Sequence, residues 1–261
     1  MRFTSLAACA ALAAGLAACN PAPKPPAARP GPLSPAQKQK QLAQLQLEYA
    51  GPEQTDSSAY VIYPLVLDKT TGDEDSYSSS SGRYEVKRYW NLAFYNPATR
   101  AVHLLDSTRR MAIYGYESAA GEKGAAVSGA VFARYVRGSF QRVDKLLYYS
   151  VRTLDYNRDG QLTQADPNYL FISDKAGRGF RQVSPDNYHV VGRQLLPATN
   201  QLLLQAQVDA NHDLRFDDLD PTVQLVYDLA TGGPARAVFP PSVQLGLKKA
   251  FQAQWPAPPT P

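Results

Sequence analysis

Three stretches of this chain repeat one pattern: a run of β-forming residues closing on Asn or Asp, a tight turn containing Ala, and a second short β run. The first is Asn91 to Arg100 leading into Val102 to Leu105, the second Tyr169 to Gly177 leading into Phe180 to Val183, the third Val223 to Gly232 leading into Ala235 to Val238. The closing Asn or Asp side chain can bond the backbone ahead of it, and the residues that follow tolerate positive φ, which is what hairpins need. Each pattern is preceded by a further β run that ends in Asp and opens a polar loop: Val61 to Leu67 before Asp68, Lys145 to Leu154 before Asp155, and Gln201 to Val208 before Asp209. The unit is strand, acidic loop, hairpin. Its spacing is uneven, 87 residues from Asp68 to Asp155 and 54 from Asp155 to Asp209, so the first unit carries an insertion, for which Ala119 to Gly138 is the candidate. This texture predicts a mostly-β fold of repeated antiparallel strand-hairpin units over residues 52–255, with a β-sandwich as the alternative.

Within Tyr169 to Val183 the segments Leu-Phe-Ile-Ser-Asp-Lys-Ala-Gly and Arg-Gln-Val resemble the last strands of a TolB-type, WD-repeat-like β-propeller blade. Over Tyr60 to Phe239 the chain is similar to bacterial envelope lipoproteins with such units. The resemblance implies a β-propeller-like body. Three units are fewer than the roughly four to eight blades of a closed propeller, so three blades or an incomplete ring is expected.

The specific chemistry lies in the acidic loops. Asp155 to Asp166 reads Asp-Tyr-Asn-Arg-Asp-Gly-Gln-Leu-Thr-Gln-Ala-Asp, with oxygen-bearing side chains at positions 1, 3, 5, 9 and 12 and glycine at position 6. A hard cation such as calcium takes about six to eight oxygens, and a 12-residue loop of this spacing curls around it. The expected ligands are Asp155, Asn157, Asp159, the carbonyl of Gln161, Thr163 and Asp166. The second loop, Asp209 to Asp220, offers Asp209, Asn211, Asp213, the carbonyl of Arg215, Asp217 and Asp220, with Leu214 in the glycine position. A left-handed conformation there would cost Leu about 1–2 kcal/mol. For both loops the competing reading is that the acids solvate and cap a β-turn. Leu162 and Phe216 both stand at position 8, a non-ligand place that should point inward. A closing Asp resembles dockerin-like and other extracellular EF-hand-like loops. Pro167 follows the first loop and a β run precedes it, so the usual pair of flanking helices is not expected and the ion would be structural. Asp68 to Asp75 lacks the alternation and reads as a loop tip.

The compartment is set at the N-terminus. Met1-Arg2 followed by the uncharged run Phe3 to Ala18 is a secretory signal rather than a membrane span. Its end, Leu16-Ala17-Ala18-Cys19, resembles the lipobox of bacterial lipoproteins, which implies cleavage before Cys19 and a lipid on its thiol. The alternative is an ordinary cleaved signal with a free Cys19. The earlier Leu6-Ala7-Ala8-Cys9 has too short an apolar run ahead of it. With Cys9 removed and Cys19 lipidated, no disulfide can form. Residues 19–33 are Pro- and Ala-rich and read as a tether. From Glu48 onward the chain carries 22 basic and 23 acidic residues, so the excess positive charge belongs to the N-terminal part, and nothing supports nucleic-acid binding by the body. Asn20 after the lipidated cysteine differs from the Asp retention signal of some bacteria, which points to the outer membrane, on its periplasmic or surface face.

A helix is expected over residues 34–51, capped by Ser34, with Leu42, Leu45 and Tyr49 on a stripe that docks on the body. Gln244 to Trp255 reads as a closing helix that covers a sheet edge, and residues 256–261 as a disordered tail. His103, His189 and His212 sit in no nucleophile or zinc spacing. Carboxylates are concentrated in the two loops, so no glycosidase pair stands out, and no catalytic residue is assigned. The reading is a membrane-tethered, calcium-stabilised binding or scaffold lipoprotein of the cell envelope, facing an envelope protein or glycan. Its alternative is an extracytoplasmic hydrolase acting on glycans or peptides.

Overall fold

The computed structural model describes residues 34–54, 58–71, 85–118 and 145–255. Cys19, the tether, the insertion at Ala119 to Gly138 and the tail at 256–261 lie outside them. The chain divides into two units, Met1–Gln46 and Leu47–Pro261.

In the first unit, α1 (Pro35–Gln44) begins as the sequence predicts. Ser34 Oγ accepts the Gln37 amide and Gln37 Oε1 accepts the Ser34 amide, a capping box, with Pro35 at the first helical position. It ends seven residues earlier than expected, at Gln44. In the second unit, residues 48–50 join a sheet edge instead: Val66 N–H donates to Glu48 O, Ala50 N–H to Pro64 O, and Tyr49 bridges Leu65. Backbone groups gain ladder partners there that a last, exposed helical turn leaves to water. No residue of α1 is buried, and Leu42, Leu45 and Tyr49 are all exposed.

The body is mostly β and antiparallel, as expected, and its strands fall into three four-stranded modules. The first holds β1 (Glu53–Gln54), β2 (Val61–Thr71), β3 (Glu85–Tyr95) and β4 (Val102–Leu104). The second holds β5 (Ala112–Ser118), β6 (Leu146–Arg152), β7 (Tyr169–Asp174) and β8 (Arg181–Gln182). The third holds β9 (Tyr188–Leu196), β10 (Gln201–Val208), β11 (Thr222–Asp228) and β12 (Arg236–Ala237). Within every module each strand pairs with the next in sequence. The first two modules merge into one eight-stranded sheet through the pair Tyr89 and Ile113, and the third is a separate four-stranded sheet. The described strands close neither a barrel nor a propeller ring.

The three repeated hairpins are β3–β4, β7–β8 and β11–β12, and their turns share one device. Asn96 Oδ1 accepts from the amides of Ala98 and Thr99, Asp174 Oδ1 from those of Ala176 and Arg178, and Asp228 Oδ1 from those of Ala230 and Thr231. That is the Asx-turn chemistry read from the sequence. The first module departs from the pattern at Asp68. β2 continues to Thr71 in register with β3, and Asp68 is ion-paired to Arg88 rather than opening a loop.

β6 and β7 are buried on both faces, which explains their nearly unbroken apolar text. Leu147, Tyr149, Val151, Tyr169 and Phe171 face one core with Ile62, Phe94 and Ile113. Tyr148, Leu170 and Ile172 face the other with Leu202, Leu204 and Tyr227 of the third module. The C-terminal helix α2 (Pro241–Gln254) buries no residue, with Leu247 and Phe251 more than half exposed. It therefore covers no sheet edge, contrary to expectation. Among the described residues no helix is long and apolar enough to cross a membrane.

Candidate functional site

The two acidic loops occupy the same place in two modules, between β6 and β7 and between β10 and β11. They also fold alike. At the sixth position the amide donates to the first carboxylate, Gly160 to Asp155 Oδ2 at 2.8 Å and Leu214 to Asp209 Oδ2 at 3.1 Å. The fifth amide donates to the third side chain, Asp159 to Asn157 and Asp213 to Asn211, both at 3.1 Å. The last carboxylate ties the loop shut from both sides. Asp166 accepts from the amides of Tyr156 and Thr163, and Asp220 from those of Ala210 and Asp217. The fourth and sixth residues are left-handed in both loops: Arg158 and Gly160 have φ of 63° and 86°, His212 and Leu214 of 62° and 64°. Leu214 thus adopts the conformation glycine adopts in its counterpart, and accepts its steric cost.

Carboxylate satisfaction separates the loops. Asp166 is fully buried and Asp220 nearly so, each held by two amides. Asp209 is 5% exposed; its Oδ2 accepts from Leu214 and from the Tyr156 hydroxyl at 2.9 Å, while its Oδ1 is buried with no hydrogen-bond partner. Burial pushes this carboxyl up, but the Tyr156 hydroxyl and the backbone amides of Leu214, His212 and Asp213 together outweigh it and hold it below the usual carboxylate range. The Tyr156 phenol is pushed up to about 12, by burial and then by Asp209, so it remains a donor.

Tyr156 is the second residue of the first loop, so its bond to Asp209 joins the two loops directly. Its ring also packs at 5.2 Å on Phe216, which stacks in turn on His189. Phe216 is half-buried in this stack, whereas Leu162, its counterpart, is buried as expected. Three arginines fasten the first loop to the larger sheet by its carbonyls. Arg88 donates to Leu162 O, Arg110 to Gly160 O and Arg152 to Asp166 O. Tyr156 and these arginines are structural contacts of the loops that sequence reasoning passed over. Only a three-dimensional partner reveals them, because none falls at a ligand position.

The remaining expected ligands lie where the spacing puts them. Asn157 and Asn211 donate to Asp159 and Asp213, Gln161 and Arg215 send their amides to the same two aspartates, and Thr163 and Asp217 accept the amides of Ala165 and Leu219. Among the described residues no three His, Cys, Asp or Glu side chains gather into a group that could hold a metal ion, so neither the three aspartates of the first loop nor the four at expected ligand positions in the second converge on one point. Of the histidines, His103 stacks on Phe94 and its Nε2 lies 2.8 Å from Ala176 O, and His212 is exposed at a non-ligand position. His189 Nδ1 accepts the Asn168 amide, and burial, followed by the Arg152 charge, lowers its pKa to about 4.

Comparison of the chain with family models, with curated proteins and with solved structures gives no match.

Proposed function

We propose that this chain is a membrane-tethered binding or scaffold module of the bacterial cell envelope, anchored through a lipid on Cys19 and stapled by calcium in its two acidic loops. The observation that carries the metal reading is Asp209 Oδ1, a carboxylate oxygen buried without a donor at the first position of a loop spaced for a hard cation. Leaving such an atom unpaired costs on the order of 1–3 kcal/mol, and a bound cation would remove that cost. The amides on the other carboxylates do not compete for the ion. A carboxylate oxygen has two lone pairs and each amide uses one. Asp155, Asn157, Asp159, the Gln161 carbonyl, Thr163 and Asp166 would hold one ion, and Asp209, Asn211, Asp213, the Arg215 carbonyl, Asp217 and Asp220 the other. Because the loops meet at Tyr156 and Asp209, ions there would brace the junction between the two sheets, a task that disulfides often serve in exported folds. The membrane reading is supported by Leu16-Ala17-Ala18-Cys19 closing an uncharged apolar run.

The test is thermal melting of the mature chain in calcium, in magnesium and in chelator. Calcium at about a hundred times its dissociation constant should add about 2.7 kcal/mol per site, which is several degrees for a chain this size. Asp155→Ala and Asp209→Ala should each forfeit part of the gain. Melting curves of the parent and of Asp155→Ala that ignore both calcium and chelator would sink the structural ion. For the anchor, Cys19→Ser should move the protein from the membrane to the soluble fraction.

A further inference from the structure

We propose that the groove beside the first loop binds a saccharide bearing a carboxylate or phosphate group. This open groove of about 320 Å³ lies among Asp68, Arg88, Trp90, Arg109, Arg110 and Gln161, with Met111 adding apolar lining. Its charges do not balance. Arg88 is neutralised by Asp68, and Arg109 sits 3.6 Å from Asp106, but Arg110 meets no carboxylate at ion-pair distance among the described residues. Arg110 is exposed and uses one donor on the Gly160 carbonyl at 2.6 Å, which aims the guanidinium while leaving its other N–H groups for an anion. Half-buried Trp90 adds an aromatic surface suited to the C–H face of a sugar ring. Gln161 and Asp68 bring an amide and a partly exposed carboxylate, both able to accept hydroxyl protons. A ligand made only of phosphates would leave Trp90 and the hydroxyl acceptors on Gln161 and Asp68 unused. A hydroxylated ring with one acidic group uses every part of the lining.

The inference deepens the binding-module reading and rests on it. It needs the first loop to keep its shape, because Gly160 and Gln161 belong to that loop, but it does not need an ion there. Titration calorimetry on the mature chain, in calcium and in chelator, would use a glucuronate-containing disaccharide, a hexose 6-phosphate, the neutral parent sugars and inorganic phosphate. At least one acidic sugar should bind, at least about tenfold tighter than its neutral parent, and Arg110→Gln and Trp90→Leu should each weaken it about tenfold while the variant still melts cooperatively. If Trp90→Leu does not fold, Arg110→Gln decides alone. The groove reading is overturned if no acidic sugar exceeds the neutral sugars and phosphate, or if the folded variants bind as the parent does. Calcium-dependent melting without sugar binding overturns the groove and leaves the ion intact, whereas sugar binding supports the groove even where melting ignores calcium.

Discussion

At the scale of single residues, two positions show how backbone and burial set the tolerance of this fold. Gly177 closes the β7–β8 turn with φ of 74°, and a methyl group there would overlap the Phe94 ring, which is itself fully buried. Gly177→Ala therefore meets both a left-handed conformation and a core side chain that cannot retreat. It should cost about 2–4 kcal/mol in denaturant unfolding, more than an ordinary surface substitution. His189 is the second case. Its pKa falls from 6.5 when unfolded to about 4 in the fold, so the unfolded chain binds the proton first. The contribution of His189 is fully present above pH 6.5 and is lost as the pH drops toward 4. Denaturant midpoints measured in chelator should decline across that window, and His189→Gln should flatten the decline. The depressed Asp209 and Asp228 carboxyls act at lower pH, below their ordinary 3.8. A decline of equal size in the His189→Gln protein would assign it to other groups.

At the scale of elements, the two loops form one device through Tyr156. Its hydroxyl is one of two donors on Asp209 Oδ2, and its ring packs on Phe216. Tyr156→Phe keeps the ring and removes the hydroxyl, leaving a second underserved oxygen on a buried carboxylate. The expected loss in chelator is about 1–2 kcal/mol, read as a drop of a few degrees in melting temperature. An unchanged melting temperature would mean that the junction carries no weight. Much of this level was legible in the sequence, because hairpin turns and 12-residue loops are local: Asn96, Asp174 and Asp228 act on amides two to four residues ahead. The misjudged elements are those whose outcome depends on distant chain. α1 stops at Gln44 since residues 48–50 find β2, and Asp68 stays in β2 since Arg88 stands opposite. The apolar stripe of α2 reports amphipathicity but not the presence of a surface to pack on. Within the candidate site, ligand positions were readable from spacing. The orphaned Oδ1 of Asp209, the arginine clamps and the groove at Trp90 were not, since each joins residues far apart in sequence.

At the scale of the whole described body, the third module's sheet and the larger sheet share the core formed by Tyr148, Leu170, Ile172, Leu202 and Leu204. Arg193 of β9 adds an ion pair to Glu117 of β5 while lying over the Tyr148 ring. The modules are thus alike in topology and unlike in environment: β6 and β7 serve two cores, and β2 and β3 chiefly one. That asymmetry has a kinetic consequence. A strand covered on both sides can release its amides to solvent only when both cores open. In native-state hydrogen exchange, the amides of Leu147 to Val151 and Leu170 to Ile172 should be the last to take up deuterium, at a rate set by unfolding of the entire body. Those of β12 and of α2 should exchange early through local opening. Faster exchange in β6 and β7 than in β10 would mean that the two cores come apart independently. Exchanging last, the strands with the least polar text act as the molecule's clock, setting the slowest step by which it can come undone.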